Sequence, residues 1–145
     1  MLEGDRGHGD QNTHGVEVAM EAINGAIVIL PDSGGATGEA ARGLLVLGPE
    51  QTGEAYVAMI GAMAAGDPGP PLHSHPHTDE AFYIAEGEIT FQLGDHEVVA
   101  GVGTFVFVPR GMVHTAWNSG PGPVRGLILV SPGGAEHIYQ PIETP

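Results

Sequence analysis

Residues 73–87 read HSHPHTDEAFYIAEG, and this stretch decides the fold. Side chains two apart on an extended strand share a face, so His73 and His75 offer two imidazoles to one point in space, as a divalent cation requires. Taken alone, such a pair suits a hydrogen-bonded core pair or a surface position as well as a ligand pair. The surroundings narrow the choice. Four residues separate His75 from Glu80, and six more separate Glu80 from Gly87. Downstream, residues 103–118 read GTFVFVPRGMVHTAWN, with Gly103, Pro109, Gly111, His114 and Asn118 at fixed offsets. Pro109 fixes its own φ and Gly111 tolerates a positive one, so the two predict a tight turn that aims His114 back across the molecule.

Working outward, the flanking chain consists of short β-type runs separated by turn residues. Residues 88–93 alternate polar and apolar side chains, and Gly94-Asp95 then supplies a turn before Val98-Val99, predicting a hairpin. Thr104 to Val108 stops at Pro109, and Val124 to Val130 stops at Ser131-Pro132-Gly133-Gly134, so both read as strands. Within Val16 to Leu30, residues 17–22 could begin a short helix before Ile27 to Leu30 becomes a strand. Segments 1–15 and 31–42 lack apolar periodicity and read as flexible, which makes residues 1–42 an N-terminal arm with a leading strand and loop. His8 and His14 fall in that arm and are expected to be solvated. Residues 43–145 form the single domain.

The first stretch resembles the first conserved motif of the cupin superfamily, and the second fills every fixed position of the second motif. From this chain's own composition, the five residues of the second motif arise at those offsets by chance roughly three times in a million starts. The resemblance covers His73 to Asn118 directly, and flanking strands extend it from about Gly43 to Val130; the first forty residues lie outside it. It implies an all-β fold, the double-stranded β-helix or jelly-roll barrel. It also implies one divalent metal held by His73, His75, Glu80 and His114. Asp79 stands at a gap the family permits in place of Glu80, although the six residues to Gly87 favour Glu80. Three imidazoles and a carboxylate suit Fe(II), Mn(II), Ni(II), Co(II), Cu(II) or Zn(II). Up to two octahedral positions then stay open, and an open position distinguishes a catalytic site from a closed structural one.

Strand parity puts Phe82 and Ile84 on the face of Glu80, and Met112 and Ala116 on the face of His114. His77 continues the alternation of His73 and His75, but Pro76 perturbs the strand, so His77 is expected at the pocket rim. Tyr83 and Trp117 point the other way, toward packing or dimer contacts. Such walls suit a flat aromatic or polyketide-like substrate whose oxygens bind the metal. The string PPLHSHPHTDEAFYIAEGEITF, residues 70–91, is similar to the metal-binding segment of quercetinase-like cupins. That likeness implies a dioxygenase opening a flavonol or related aromatic enol or diol, with Glu80 as the catalytic base. A redox-neutral polyketide cyclase or isomerase is the second expectation, and a non-catalytic small-molecule-binding module the third.

Composition bounds these readings. A chain of 145 residues can bury on the order of 70% of its unfolded surface, enough for one core. Hydrophobic residues at 41% against charged residues at 15% argue against disorder despite 24 Gly and 12 Pro. Eighteen acidic residues face four arginines and no lysine, and the net charge of −14 repels phosphate backbones and anionic bilayers, so neither nucleic acid nor membrane is expected as a partner. No apolar run approaches the roughly 18–20 residues that cross a bilayer, and the polar first fifteen residues lack the pattern of a secretory signal, which makes the cytoplasm the default. Without cysteine, any metal must use imidazole or oxygen. Exposed strand edges make a homodimer the expected assembly.

Overall fold

The alternation at residues 88–93 becomes a strand because its apolar face, carried by Ile89 and Phe91, packs into the core; Thr90, on the opposite face, is buried as well. In the computed structural model, which describes residues 20–29, 39–40, 43–134 and 140–141, that strand is β8 (Ile89–Leu93), and it turns through Gly94-Asp95 into β9 (His96–Ala100). Leu93 pairs with His96 across the two-residue loop. The remaining strands are β1 (Met20–Ile23), β2 (Ala26–Ile29), β3 (Glu39–Ala40), β4 (Gly43–Leu47), β5 (Val57–Met63), β6 (His73–Ser74) and β7 (Asp79–Glu86), then β10 (Phe105–Val108), β11 (His114–Trp117), β12 (Val124–Ser131) and β13 (Gln140–Pro141). A single helical turn, α1 (Pro49–Thr52), links β4 to β5. It is the only helix among the described residues, and it is far too short to cross a membrane.

The strands form two antiparallel sheets, ordered β10-β7-β12-β5-β4-β3 and β13-β6-β11-β8-β9, with β1 and β2 as a separate hairpin. The core cluster of Ile84, Ile89, Phe91, Ala100, Val106, Val108 and Val124 draws on both sheets, which therefore pack face to face as a jelly roll. Phe91 is fully buried and meets Phe82 of the opposite sheet edge to face, ring centroids 5.1 Å apart. Parity along β10 is clear, with Val106 and Val108 buried while Phe105 and Phe107 are exposed beside the exposed Tyr83.

Two details differ from expectation. The stretch that could have opened a helix at residues 20–22 is β1 of a hairpin; residues 16–19 and 30 lie outside the described residues. Asn24 and Gly25 both take positive φ, 51° and 87°, which makes the two-residue turn whose twist matches that of paired strands. The Asn-Gly dipeptide was therefore the decisive local signal, and it outweighed a weak helical pattern. The arm assigned to residues 1–42 also contributes to the larger sheet, since β3 pairs with β4 through Glu39–Leu44 and Ala40–Gly43.

Asn118, 1% exposed, joins three segments. Its amide donates to the carbonyls of Ala64 (2.9 Å), Gly122 (2.8 Å) and Met63 (3.3 Å), and its Oδ1 accepts from Gly120 N–H (3.0 Å). The end of β5 is thereby tied to the β11–β12 connection.

Candidate metal centre

His73 and His114 are register partners on β6 and β11, so one antiparallel pair sets two imidazoles side by side with ring centroids 4.5 Å apart. His75 follows β6 at the two-residue interval, its ring 5.0 Å from that of His73. Its carbonyl accepts the Gly111 N–H at 2.7 Å, so the turn read from Pro109 and Gly111, closed by Met112 N–H to the Pro109 carbonyl, also anchors the first histidine pair. Glu80 arrives from the other sheet. It sits on β7 between Val108 of β10 and Val130 of β12, and its carboxylate spans the gap between the sheets. Glu80 Oε2 lies 2.7 Å from His114 Nε2 and 3.5 Å from His75 Nε2.

Two backbone carbonyls fix which nitrogens face the centre. His73 Nδ1 donates to Pro71 O at 2.7 Å and His114 Nδ1 to Met112 O at 2.9 Å. A carbonyl can only accept, so Nδ1 carries the proton in both rings and Nε2 is the ligating nitrogen. One donor atom from each of His73, His75, Glu80 and His114 lies within 4.8 Å of all the others. A cation bonded at about 2.0–2.2 Å needs donors no more than roughly 4.4 Å apart, so a contraction of a few tenths of an ångström lets these residues hold one.

Burial alone pushes the Glu80 carboxyl up, but the His114 hydrogen bond and the charges of His75, His114 and His73 outweigh it and hold it below its ordinary value. Burial likewise pulls His114 down, yet the bond to Glu80, the Met112 carbonyl and the Glu80 charge leave it raised. Geometry agrees, because His114 donates from both nitrogens only as an imidazolium. His73 is lowered, first by burial and then by its histidine neighbours, and stays neutral.

Asp79 takes no part in the cluster. Being one residue from Glu80 on a strand, it faces the opposite side, where Arg110 Nε and Nη2 grip its carboxylate at 3.2 and 2.9 Å and Arg110 N–H adds a bond of 2.8 Å. This pairing holds the Asp79 carboxyl below its usual range.

A cavity of about 180 Å³ extends from His73, Glu80 and His114 into the interior between the sheets. Phe82, Ile84 and Ala116 line it. Met112, expected beside them, does not: strand parity begins only at His114, and Met112 lies in the preceding turn, 38% exposed. His77 is exposed in the bend after Pro76 and lies outside the lining, because the strand alternation stops at Ser74. Much of the wall comes from positions the sequence did not single out, among them Gly61, Met63, Phe91, Gly126 and Ile128. β5 reads as a continuous apolar run and β12 as one broken at Arg125, and a run without alternation does not disclose which face is inward.

Comparison with known proteins agrees with this architecture. Residues 59–131 match the Cupin domain family. Over 60 residues the chain is 33% identical to the tetracenomycin polyketide synthase protein TcmJ of Streptomyces glaucescens, an alignment covering 41% of this chain and 40% of that protein's length. Among crystal structures, a conserved protein with a double-stranded β-helix domain from Klebsiella pneumoniae superposes with a TM-score of 0.60 at 23% identity, covering 76% of this chain and 92% of that one. A predicted oxalate decarboxylase from Thermotoga maritima superposes with a TM-score of 0.57 at 23% identity, covering 61% and 77%. At that identity the structures speak for the fold alone. The family match spans half the chain and contains both sequence motifs, so the chain belongs to the cupin family.

Proposed function

We propose that this protein is a metal-dependent enzyme acting on a small aromatic enol or diol, with quercetinase-like dioxygenation as the first reading. The observation that carries the proposal is the convergence of four donor groups, three of which, His73, Glu80 and His114, line one end of a cavity whose other walls are mostly apolar. A divalent cation held by His73, His75, Glu80 and His114 would supply Lewis acidity and, for a redox-active ion, access to dioxygen chemistry. The protein's own residues do the rest. Phe82, Ile84 and Ala116 exclude water and orient a flat ring. Glu80 is held in its ionised form beside His114, so its carboxylate is ready to accept a proton from a substrate hydroxyl.

The similarity to TcmJ favours a second reading, a redox-neutral cyclisation or isomerisation of a polyketide-like substrate, in which the same carboxylate takes a proton from a carbon next to a carbonyl. A metal-reconstitution series with Fe, Mn, Ni, Co, Cu and Zn, assayed for oxygen uptake against aromatic diols and flavonols, separates them. Oxygen consumption that depends on the metal supports the dioxygenase. Turnover with zinc and no uptake with any metal supports the cyclase or isomerase, and binding without turnover replaces both with a small-molecule-binding module.

A further inference from the structure

The cavity's far end is hollowed by a glycine. The inward positions of β7, Glu80, Phe82 and Ile84, pair with Val130, Ile128 and Gly126 on β12, and Gly126 pairs in turn with Gly61 on β5. At about 3.3 Å per residue, the glycine row lies roughly 13 Å along the strands from Glu80. Gly61 and Gly126 both line the cavity. Neither takes a positive φ, so the backbone does not require glycine at either position, and glycine inside a strand is destabilising relative to alanine. Space accounts for both. At Gly126 a Cβ would lie 2.4 Å from the Tyr83 carbonyl oxygen, so close backbone packing explains that residue. At Gly61 a Cβ would lie 2.8 Å from Ile128 Cδ1, the tip of a flexible side chain that itself lines the cavity. A methyl group there would itself add to the cavity wall and would force Ile128 to shift.

Polarity along the wall is uneven. His73, Glu80 and His114 are at one end, Thr115 spends its hydroxyl on the Pro70 carbonyl at 2.6 Å, and Tyr83 is 43% exposed. The far end offers apolar side chains only, among them Met63 and Val124. At about 180 Å³ the volume slightly exceeds that of an apolar protein cavity of about 150 Å³ that admits benzene, so one ring and a few further heavy atoms fill it.

Resting on the function proposed above, we infer that the substrate is a single aromatic ring with two adjacent oxygens at the metal end and a short apolar substituent at the other, and that Gly61 and Ile128 set the permitted length. A three-ring flavonol does not fit whole, so within the proposed function the inference keeps the one-ring enol or diol and sets the flavonol aside.

The test uses the full chain loaded with zinc, which binds diols without turning them over oxidatively, and calorimetric titration with catechol, 4-methylcatechol, 4-propylcatechol and a flavonol. The wild type should bind 4-methylcatechol more tightly than catechol and the flavonol most weakly. Gly61→Ala should weaken 4-propylcatechol by about tenfold or more, the scale of a methylene in a tight pocket, while leaving catechol and zinc stoichiometry unchanged. Ile128→Val, which removes one methylene, should shift the preference toward the longer substituent. Should Gly61→Ala not fold, Ile128→Val decides alone. Equal affinities for the alkyl series in wild type and variants overturn the length gate while leaving the diol reading intact. Absence of binding by every diol overturns the diol reading and the proposed substrate with it. In that case toluene and naphthalene, tested by thermal shift on the metal-free chain, show whether Gly61→Ala still narrows the cavity.

Discussion

At Glu80 and Asp79, adjacent carboxylates have opposite tasks because a strand sends successive side chains to opposite faces. Glu80 faces three histidines, and Asp79 is held by Arg110. Glu80→Ala is therefore expected to lower metal affinity by more than about a hundredfold, beyond the usual effect of altering a ligand's hydrogen-bond partner, while Asp79→Asn keeps full metal stoichiometry in equilibrium dialysis. The reverse result would move the ligand to Asp79. His114 supplies a second prediction. In the metal-free protein its raised pKa reflects protons on both nitrogens, and a cation can take Nε2 only by displacing one. A raised pKa means the proton is held below that value and shed above it. Metal binding should thus release more protons in mildly acidic than in mildly alkaline buffer, read as the dependence of binding enthalpy on the buffer's ionisation enthalpy.

Among the elements, the β11–β12 connection depends on one side chain. Asn118→Ala removes the donor shared by the Met63, Ala64 and Gly122 carbonyls and should cost about 1–3 kcal/mol in denaturant unfolding. Asn118→Asp should cost more, because it turns acceptor oxygens toward carbonyl acceptors. Phe91→Ala on β8 empties the centre of the core and should cost about 3–5 kcal/mol, with loss of the Phe82 contact at the cavity wall. At this scale the sequence was a good guide at β8, β9 and β10, where alternation, the Gly94-Asp95 turn and the stop at Pro109 were read. It was a poor one at β1, where the Asn24-Gly25 turn was passed over, and at Met112, where parity was extended past the end of a strand.

The molecule as a whole is two sheets with the centre bridging them: three imidazoles from the β6–β11 side and one carboxylate from β7. A cation held there links the sheets, so chelation should lower the melting temperature. At metal concentrations about a hundredfold above Kd the bound ion adds about 2.7 kcal/mol. Differential scanning calorimetry with and without chelator measures it, and the same experiment on Glu80→Ala should show little change.

The sequence by itself determined what depends on short range: the all-β character, the His73–His75 interval, the Pro109–Gly111 turn and the spacing that singles out His114. Each is written in neighbouring residues because strand periodicity and turn geometry are local properties of the backbone. Only the tertiary structure decided the rest. Glu80 was separated from Asp79 by the pairing of β7 with β10 and β12, and the cavity was bounded by Gly61 and Ile128, 67 positions apart (128 − 61). Those relations arise when distant strands come into register, and an apolar run acquires an inward face only once a partner sheet lies against it.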